Sequence, residues 1–416
     1  MNFAESYYER YSVAPKIFDD NPRSDTGIIV VIPCYDDEFI FTTLQSLDSA
    51  QMPSCSVEVI VVVNSAEDTN IAIVEKNRSI YVSLCEKKSY YHNFRLLPYI
   101  IEGVPHKIAG VGNARTVGMD EAVWRFASIE TPRGVIVSLD ADCLVSEDYF
   151  AEIYSRFYCS KDKPNACTLQ YKHNFDENLY SEQEIIACRK YEMYLRYFRL
   201  AQKVAGIPVC MHTIGSCLAV TAESYAKMGG MSRRQAGEDF YFLQKLAQQS
   251  PVATICKPIV FPSPSVSERV PFGTGRSVKK IIDTGSCKVY NFSLFLLLKK
   301  FYSSFAGLFD DDSCEIPNEV IEFVGEQKFQ ILVEECRNNT SDRRSFVKRM
   351  FAKFDVFFMI RFLNSFGESS KYPVVEVEDA VIQLLKYYGA VSSDIIYDDI
   401  LALDLSESNY KYSHKF

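Results

Sequence analysis

Two aspartates one residue apart, Asp140 and Asp142, follow directly on the apolar run Gly134-Val-Ile-Val-Ser-Leu139 in a chain of 416 residues. In an extended backbone side chains repeat every two residues, so both carboxylates face one side of the chain. Carboxylates that close repel each other, and a divalent cation relieves the repulsion. Mg2+ or Mn2+ held there would bridge a diphosphate and neutralise charge growing on a leaving phosphate. The competing reading is a solvated strand end or an Asx turn. A second acidic pair, Glu238-Asp239, stands between Gly237 and an apolar helical stretch. The helix macrodipole favours carboxylates in such a first turn whatever else they do.

The elements that must position these groups are legible as periodicity. Residues 27–33 form a continuous β-branched run ending in Pro33, and residues 57–63 form a second run closed by Asn64 and Ser65. Both read as strands buried on two faces. Between them Ile40, Thr43, Leu44 and Leu47 recur at helical spacing, which makes a β-α-β unit with parallel strands. A helix over 112–127 and a strand over 135–139 repeat the pattern, so the first half is predicted as a doubly wound, mostly parallel α/β sheet. Ligands of such sheets lie beyond the carboxyl ends of the strands, here just after Ile32, Val63 and Leu139. Further on, a Tyr-rich helix over 181–204 opens on Ser181 and Glu184 at capping-box spacing. A strand over 216–220, a break at Gly229-Gly230, a helix over 238–248 and a Pro-punctuated loop follow. From about residue 277 the chain reads as a mainly helical addition, with helices over 320–335 and 378–388.

Composition narrows the partners. Lys and Arg number 45 against 54 Asp and Glu, a formal charge of -9, which gives no general attraction to a phosphate backbone and argues against nucleic acid. The longest apolar stretches fall short of the ~20 residues of a membrane-spanning helix, and the first twenty residues lack a signal-like apolar core. Thirteen cysteines, an odd number without a CxxC pair, fit reduced thiols. These features point to a soluble, cytoplasmic protein. Lys299-Lys300 beside residues 292–298 is compatible with peripheral membrane contact or with a buried helix that has a basic end. No GxxxxGK[ST] loop and no Gly-x-Ser-x-Gly elbow occurs.

Taken in order, Val31-Ile-Pro-Cys-Tyr-Asp-Asp-Glu38, Gly112-Asn-Ala-Arg115 with Gly118-Met-Asp120, Leu139-Asp-Ala-Asp142, Gly215-Ser216 and Gly237-Glu-Asp239 resemble family 2 glycosyltransferases of the GT-A fold. The resemblance spans roughly residues 28–275. It implies a nucleotide-diphospho-sugar donor, a Mg2+ or Mn2+ ion at Asp140 and Asp142, and transfer to a hydroxyl of a glycan, lipid-linked or other acceptor, as in surface glycan or polysaccharide biosynthesis. It further implies an arm over 1–26, a donor half over 27–150, an acceptor half over 151–276 and the helical region 277–416. By similarity Pro33, Tyr35 and Asp37 line the nucleoside pocket, Asn64 takes the second-strand position beside the base, and Arg115 faces the nucleotide. Gly215 and Ser216 admit the donor sugar or acceptor. Asp239 is implied as the base of an inverting transfer, with Glu238 placing acceptor or sugar; a carboxylate opposite the leaving diphosphate takes the proton the attacking hydroxyl loses.

The chain departs from the family pattern where a histidine commonly completes the metal shell. Of His92, His106, His173, His212 and His414, only the last follows Asp239. The loop 265–273 lies where that ligand is sought, which makes Glu268 a metal candidate and Arg269 a diphosphate clamp. Two alternatives stay open: a noncatalytic GT-A-fold binding or scaffold protein, and a sugar-nucleotide-forming nucleotidyltransferase. The second would want a Gly-rich basic loop where this chain has Pro-Cys-Tyr-Asp-Asp-Glu.

Overall fold

The computed structural model describes residues 2–12, 15–232, 237–267, 273–310, 314–390 and 395–408. They divide into two compact units, residues 1–188 with 212–280 and residues 189–211 with 281–416.

The first unit is built on an eight-stranded sheet: β1 (Thr26–Cys34), β2 (Ser56–Ala66), β3 (Arg95–Val104), β4 (Val135–Ser138), β5 (Leu144–Val145), β6 (Ala166–Tyr171), β7 (Leu218–Thr221) and β8 (Ala253–Phe261), in spatial order β3-β2-β1-β4-β7-β6-β8-β5. Pairings β3-β2, β2-β1, β1-β4 and β6-β8 are parallel, whereas β4-β7, β6-β7 and β5-β8 are antiparallel. The expected α/β class is therefore the one found, with a mixed sheet. Helices α1 (Glu5–Arg10), α2 (Ile40–Asp48), α3 (Ile71–Glu86), α4 (Val111–Ser128), α5 (Tyr149–Tyr154), α6 (Glu182–Ala205), α7 (Ala222–Lys227), α8 (Glu238–Gln249) and α9 (Thr274–Thr284) accompany it, α6 and α9 running on into the second unit.

Every residue of β1 and nearly all of β2 is buried, as their unbroken β-branched runs require of strands covered on both faces. Burial of each such Val or Ile contributes about 1.5–3 kcal/mol. Pro33 lies inside β1 instead of ending it. The Val31 carbonyl accepts from Leu139 N–H, and strand groups alternate sides, so the N–H that Pro33 lacks would face the side on which β4 has already ended. Likewise β2 continues through Asn64 and Ser65 to Ala66, paired with β3 as far as Val104.

Helix α4 is buried along fifteen of its eighteen residues, among them Arg115, Asp120, Glu121 and Arg125, so each of these charges must find a partner. Gly118 lets it sit against the sheet: a Cβ there would lie 2.5 Å from Val31 Cγ1 and 3.1 Å from Val62 Cγ2. Ser181 and Glu184 form the expected capping box, with Ser181 N–H donating to Glu184 at 3.0 Å and Glu184 N–H to Ser181 Oγ at 3.3 Å.

The second unit is mainly helical: α10 (Phe292–Ser303), α11 (Asn318–Val324), α12 (Glu326–Asn338), α13 (Arg343–Lys353), α14 (Val356–Gly367), α15 (Val377–Tyr387) and α16 (Ile396–Ser408), with a short antiparallel pair β9 (Lys288–Val289) and β10 (Val375–Glu376). The helix expected over 320–335 is two helices, α11 and α12, because Gly325 between them adopts φ 87°, a left-handed backbone that ends one helix and starts the next. Phe301, Phe305, Phe354 and Phe358 form its aromatic core, Phe301 and Phe354 meeting edge to face at 5.1 Å. Arg196 and Arg199 of α6 each hold Asp404 of α16 at 2.6 Å. Tyr197 is fully buried, its hydroxyl on the Tyr290 carbonyl at 2.7 Å, so this face of the Tyr-rich helix packs as core. Among the described residues no helix is long and apolar enough to cross a membrane.

Candidate active site

Four separate segments of the first unit meet at one guanidinium. Arg115, in the second turn of α4, donates through Nη2 to Asp140 Oδ1 at 2.5 Å and through Nη1 to Glu238 Oε1. Arg115 and Glu238 are almost wholly buried, while the Asp140 side chain keeps 34% of its exposure. Gly215 forms the floor, since a Cβ there would lie 2.7 Å from Arg115 Nη2 and 3.0 Å from Cζ and Nη1. Burial works against the arginine's charge, but Asp140, Glu238 and Asp239 outweigh it and hold its pKa above the ordinary value. Arg115, Asp140, Gly215 and Glu238, singled out from the sequence as separate motifs, are thus one cluster.

Asp239 opens α8 beside Glu238, after Gly237 at φ 77°. Burial raises its pKa from 3.8 to about 6, with the Glu238 charge adding to the rise and Arg115 and the Phe240 N–H opposing it. That N–H donates to Asp239 Oδ1 at 2.7 Å. A carboxyl with this titration is a base at neutral pH and a ready proton carrier just below it.

The acidic pair is not extended. β4 ends at Ser138, and the Asp140 carbonyl accepts from Cys143 N–H at 3.3 Å, so residues 140–143 form a turn and the two-residue alternation of a strand does not apply. The turn is fastened from α2, where the buried Thr43 hydroxyl donates to the Ala141 carbonyl at 2.7 Å. Asp142 Oδ1 accepts from Cys143 Sγ at 3.8 Å, and burial foremost, with Asp142 and Asp140 adding to it, pushes the Cys143 thiol up. Tyr180 is shifted upward chiefly by burial, with the Asp142 charge adding to the rise. Among the described residues no three His, Cys, Asp or Glu side chains converge as a metal cage. Asp140 and Asp142 are each partly exposed, and carboxylate oxygens are ligands of the type Mg2+ or Mn2+ takes when water and substrate phosphate complete the shell.

The remaining expected site residues lie at the ends of β1 and β2 or away from the cluster. Pro33 is buried in β1, and Tyr35 and Asp37 are half-buried in the loop after it. Asp37 Oδ1 accepts from Phe39 N–H at 3.1 Å, an Asx turn leading into α2. Asn64 Nδ2 donates to the carbonyl of Gly110, the residue before α4, at 3.5 Å. Ser216 is fully buried in a 3-10 turn that precedes β7, its Oγ 3.8 Å from Cys217 Sγ. His212 is buried edge-on to Tyr171 at 5.1 Å, as a packed structural histidine would be. Glu268 and Arg269 lie outside the described residues.

Two side chains that the sequence analysis does not assign to the site make polar contacts there. Thr43 was visible only as one member of the α2 stripe. Asn77 of α3 is fully buried, accepts from Asp36 N–H at 2.8 Å, and donates to the Asn64 carbonyl at 3.1 Å and Ser65 Oγ at 2.9 Å. The available signal was an amide on the buried stripe shared with Ile80 and Leu84.

No family model matches the sequence, and no curated protein does. Among solved structures, the chain is similar to S. aureus TarS 1-349, with 12% identity over 92% of this chain and 89% of that one at a TM-score of 0.37. The form of that protein in complex with UDP-GlcNAc gives the same figures. The mannosyltransferase PcManGT from Pyrobaculum calidifontis, in complex with GDP-Man and Mn2+, is 14% identical over 98% of this chain and 92% of that one at a TM-score of 0.38.

Proposed function

We propose that this chain is a glycosyltransferase that moves a sugar from a nucleotide diphosphate to a hydroxyl acceptor. The observation that carries the proposal is the Arg115 bridge, which ties the acidic turn at Asp140 to Glu238, the neighbour of the candidate base. A donor's leaving group and an acceptor's proton must be handled within one site, and this bridge joins the two kinds of group.

In this reading the Asp239 carboxylate takes the proton of the attacking hydroxyl, a contribution of about 10²–10⁴ in rate. Its raised pKa, near 6, suits the task, because the group is ionised at neutral pH yet basic enough to accept a proton. Glu238 and Arg115 fix the first turn of α8 against the acidic turn and so hold Asp239 in register. Asp140 and Asp142 would hold Mg2+ or Mn2+, which when bound offsets charge on the departing diphosphate. Pro33, Tyr35, Asp37 and Asn64 are assigned to the nucleoside end, and Gly215 and Ser216 to the sugar end. Attack from the side opposite the leaving group in one displacement inverts the anomeric configuration.

The deciding experiment measures nucleotide release from UDP-, GDP- and dTDP-sugars, with and without Mn2+, by wild type and Asp239→Asn. The proposal expects turnover with at least one donor and its loss in the variant. Absence of release from every donor, together with no metal-enhanced nucleotide binding, would favour a noncatalytic protein. An NMR spectrum of the product showing retained configuration would remove Asp239 from its role.

A further inference from the structure

We infer that Asn77 is the positioning residue of the nucleoside end of the site, an inference that rests on the donor-binding reading above. Residues proposed to meet the nucleoside stand on two separate pieces of backbone, the loop after β1 and the end of β2. One buried amide joins them. Its Oδ1 holds Asp36 N–H, and its Nδ2 holds both the Asn64 carbonyl and the buried Ser65 hydroxyl. Asp36 lies between Tyr35 and Asp37 and adopts φ 51°, a left-handed conformation uncommon for a residue with a side chain. The hydrogen bond from its N–H fixes that turn and hence the backbone that carries Tyr35 and Asp37. Lys76, the neighbour of Asn77 on α3, pairs with the Asp36 carboxylate at 2.8 Å and fastens the same turn from its outer side. Asn64 then passes the register on, since its own amide reaches Gly110 at the start of α4, the helix of Arg115.

The chemistry selects asparagine. An apolar residue would fill the stripe with Ile80 and Leu84 but leave a backbone donor, a backbone acceptor and a buried hydroxyl without partners. Aspartate would keep the acceptor for Asp36 N–H and set a carboxylate against the Asn64 carbonyl. Only a side chain with both a carbonyl and an NH2 group at this length satisfies all three partners, and a fully satisfied buried network holds one arrangement.

The test is calorimetric binding of UDP, GDP and dTDP, in EDTA so that metal plays no part, to wild type, Asn77→Asp, Asn77→Leu and Ser65→Ala, with donor KM and kcat measured beside it. For whichever nucleotide wild type binds, Asn77→Asp is expected to weaken binding and raise donor KM by about tenfold or more, and Ser65→Ala by about threefold, while kcat falls far less. A role confined to stability would lower the melting temperature and leave the affinity of folded protein where it was. Should Asn77→Leu not fold, the other two variants carry the test, because Ser65→Ala removes a single hydroxyl. Affinities of folded Asn77→Asp and Ser65→Ala within twofold of wild type overturn the inference alone. Wild type that binds none of the three nucleotides, in EDTA or in Mn2+, overturns the donor reading and this inference with it.

Discussion

Helix α4 carries two clusters of buried charge, and they are built on different plans. Near its N-terminal end Arg115 faces three carboxylates, Asp140, Glu238 and Asp239, and one of its direct partners, Asp140, keeps a third of its exposure. Near its C-terminal end Arg125 takes Glu58 in a two-pronged contact of 2.5 and 2.7 Å, with both side chains almost fully buried. One turn earlier Asp120 accepts from the Tyr7 hydroxyl at 2.5 Å and the Tyr225 hydroxyl at 3.2 Å. The C-terminal cluster, in which Asp120 is closed by two tyrosine donors, also holds Glu121 and Asp20 each 3.8 Å from Arg125, and it lies at the amino ends of β2 and β3. The N-terminal cluster lies beyond the carboxyl end of β4. The two raised carboxyls differ in what raises them. Glu121 is pushed up to about 7 by burial against the pull of Ile17 N–H and Arg125, whereas for Asp239 the like charges of Glu238 and Asp140 add to the burial.

The largest effect that would sharpen this contrast is on turnover. Asp239→Asn is expected to lower kcat by about 10²–10⁴ with the circular-dichroism spectrum unchanged. Asp120→Asn, in the closed cluster, should leave turnover per folded molecule near wild type. Next come the two arginines. Removing one partner of a buried pair leaves the others desolvated, so Arg115→Met and Arg125→Met should each lower unfolding free energy in urea by about 3–5 kcal/mol. Only Arg115→Met should also reduce the turnover of the folded fraction; equal losses in both would break the comparison. Smaller still is Gly215→Ala, whose Cβ displaces the Arg115 guanidinium. Overpacking of that kind costs about 1–3 kcal/mol, and a fall in kcat larger than the rise in KM would mark the guanidinium's position as the cause.

How much of this could be read beforehand depended on whether a signal was local. The β1 and β2 runs, the α2 stripe and the Ser181–Glu184 box announce themselves within a few residues, and the structure has each of them. Arg115, Asp140, Gly215 and Glu238 were picked out one by one, but their union in one ion-paired cluster depends on side-chain geometry across four segments that no spacing encodes. The turn at 140–143 was mistaken for extended chain because the apolar run before it gives no sign of where β4 stops pairing. Gly325 went unnoticed inside a helical stripe, since the pattern of apolar residues continues through the break. Thr43 reads as an ordinary member of a buried stripe and Asn77 has no reading at all, because their partners are mostly backbone groups, and backbone has no identity in a sequence.

The finest test of the contrast uses the sign of a stability change. The Asp239 carboxyl has a folded-state pKa raised above its ordinary 3.8, so folding favours its protonated form. Its contribution to stability is therefore present below about pH 4 and is lost as pH rises through about 6. At pH 7 the charged carboxylate is a net burden, and with partial exposure screening it, Asp239→Asn should stabilise the fold by about 1 kcal/mol, an effect that vanishes at pH 4. Turnover of wild type should run the other way, falling about tenfold per pH unit below pH 6 as the base is protonated. Thermal unfolding of Asp239→Asn and Asp120→Asn at pH 4 and 7 checks this directly. In the closed cluster, asparagine replaces a charge that accepts from Tyr7 and Tyr225, so Asp120→Asn should lose stability at pH 7 while Asp239→Asn gains it. If both variants shift the same way, the raised carboxyl beside Arg115 is not what distinguishes the site, and the contrast between the two ends of α4 fails.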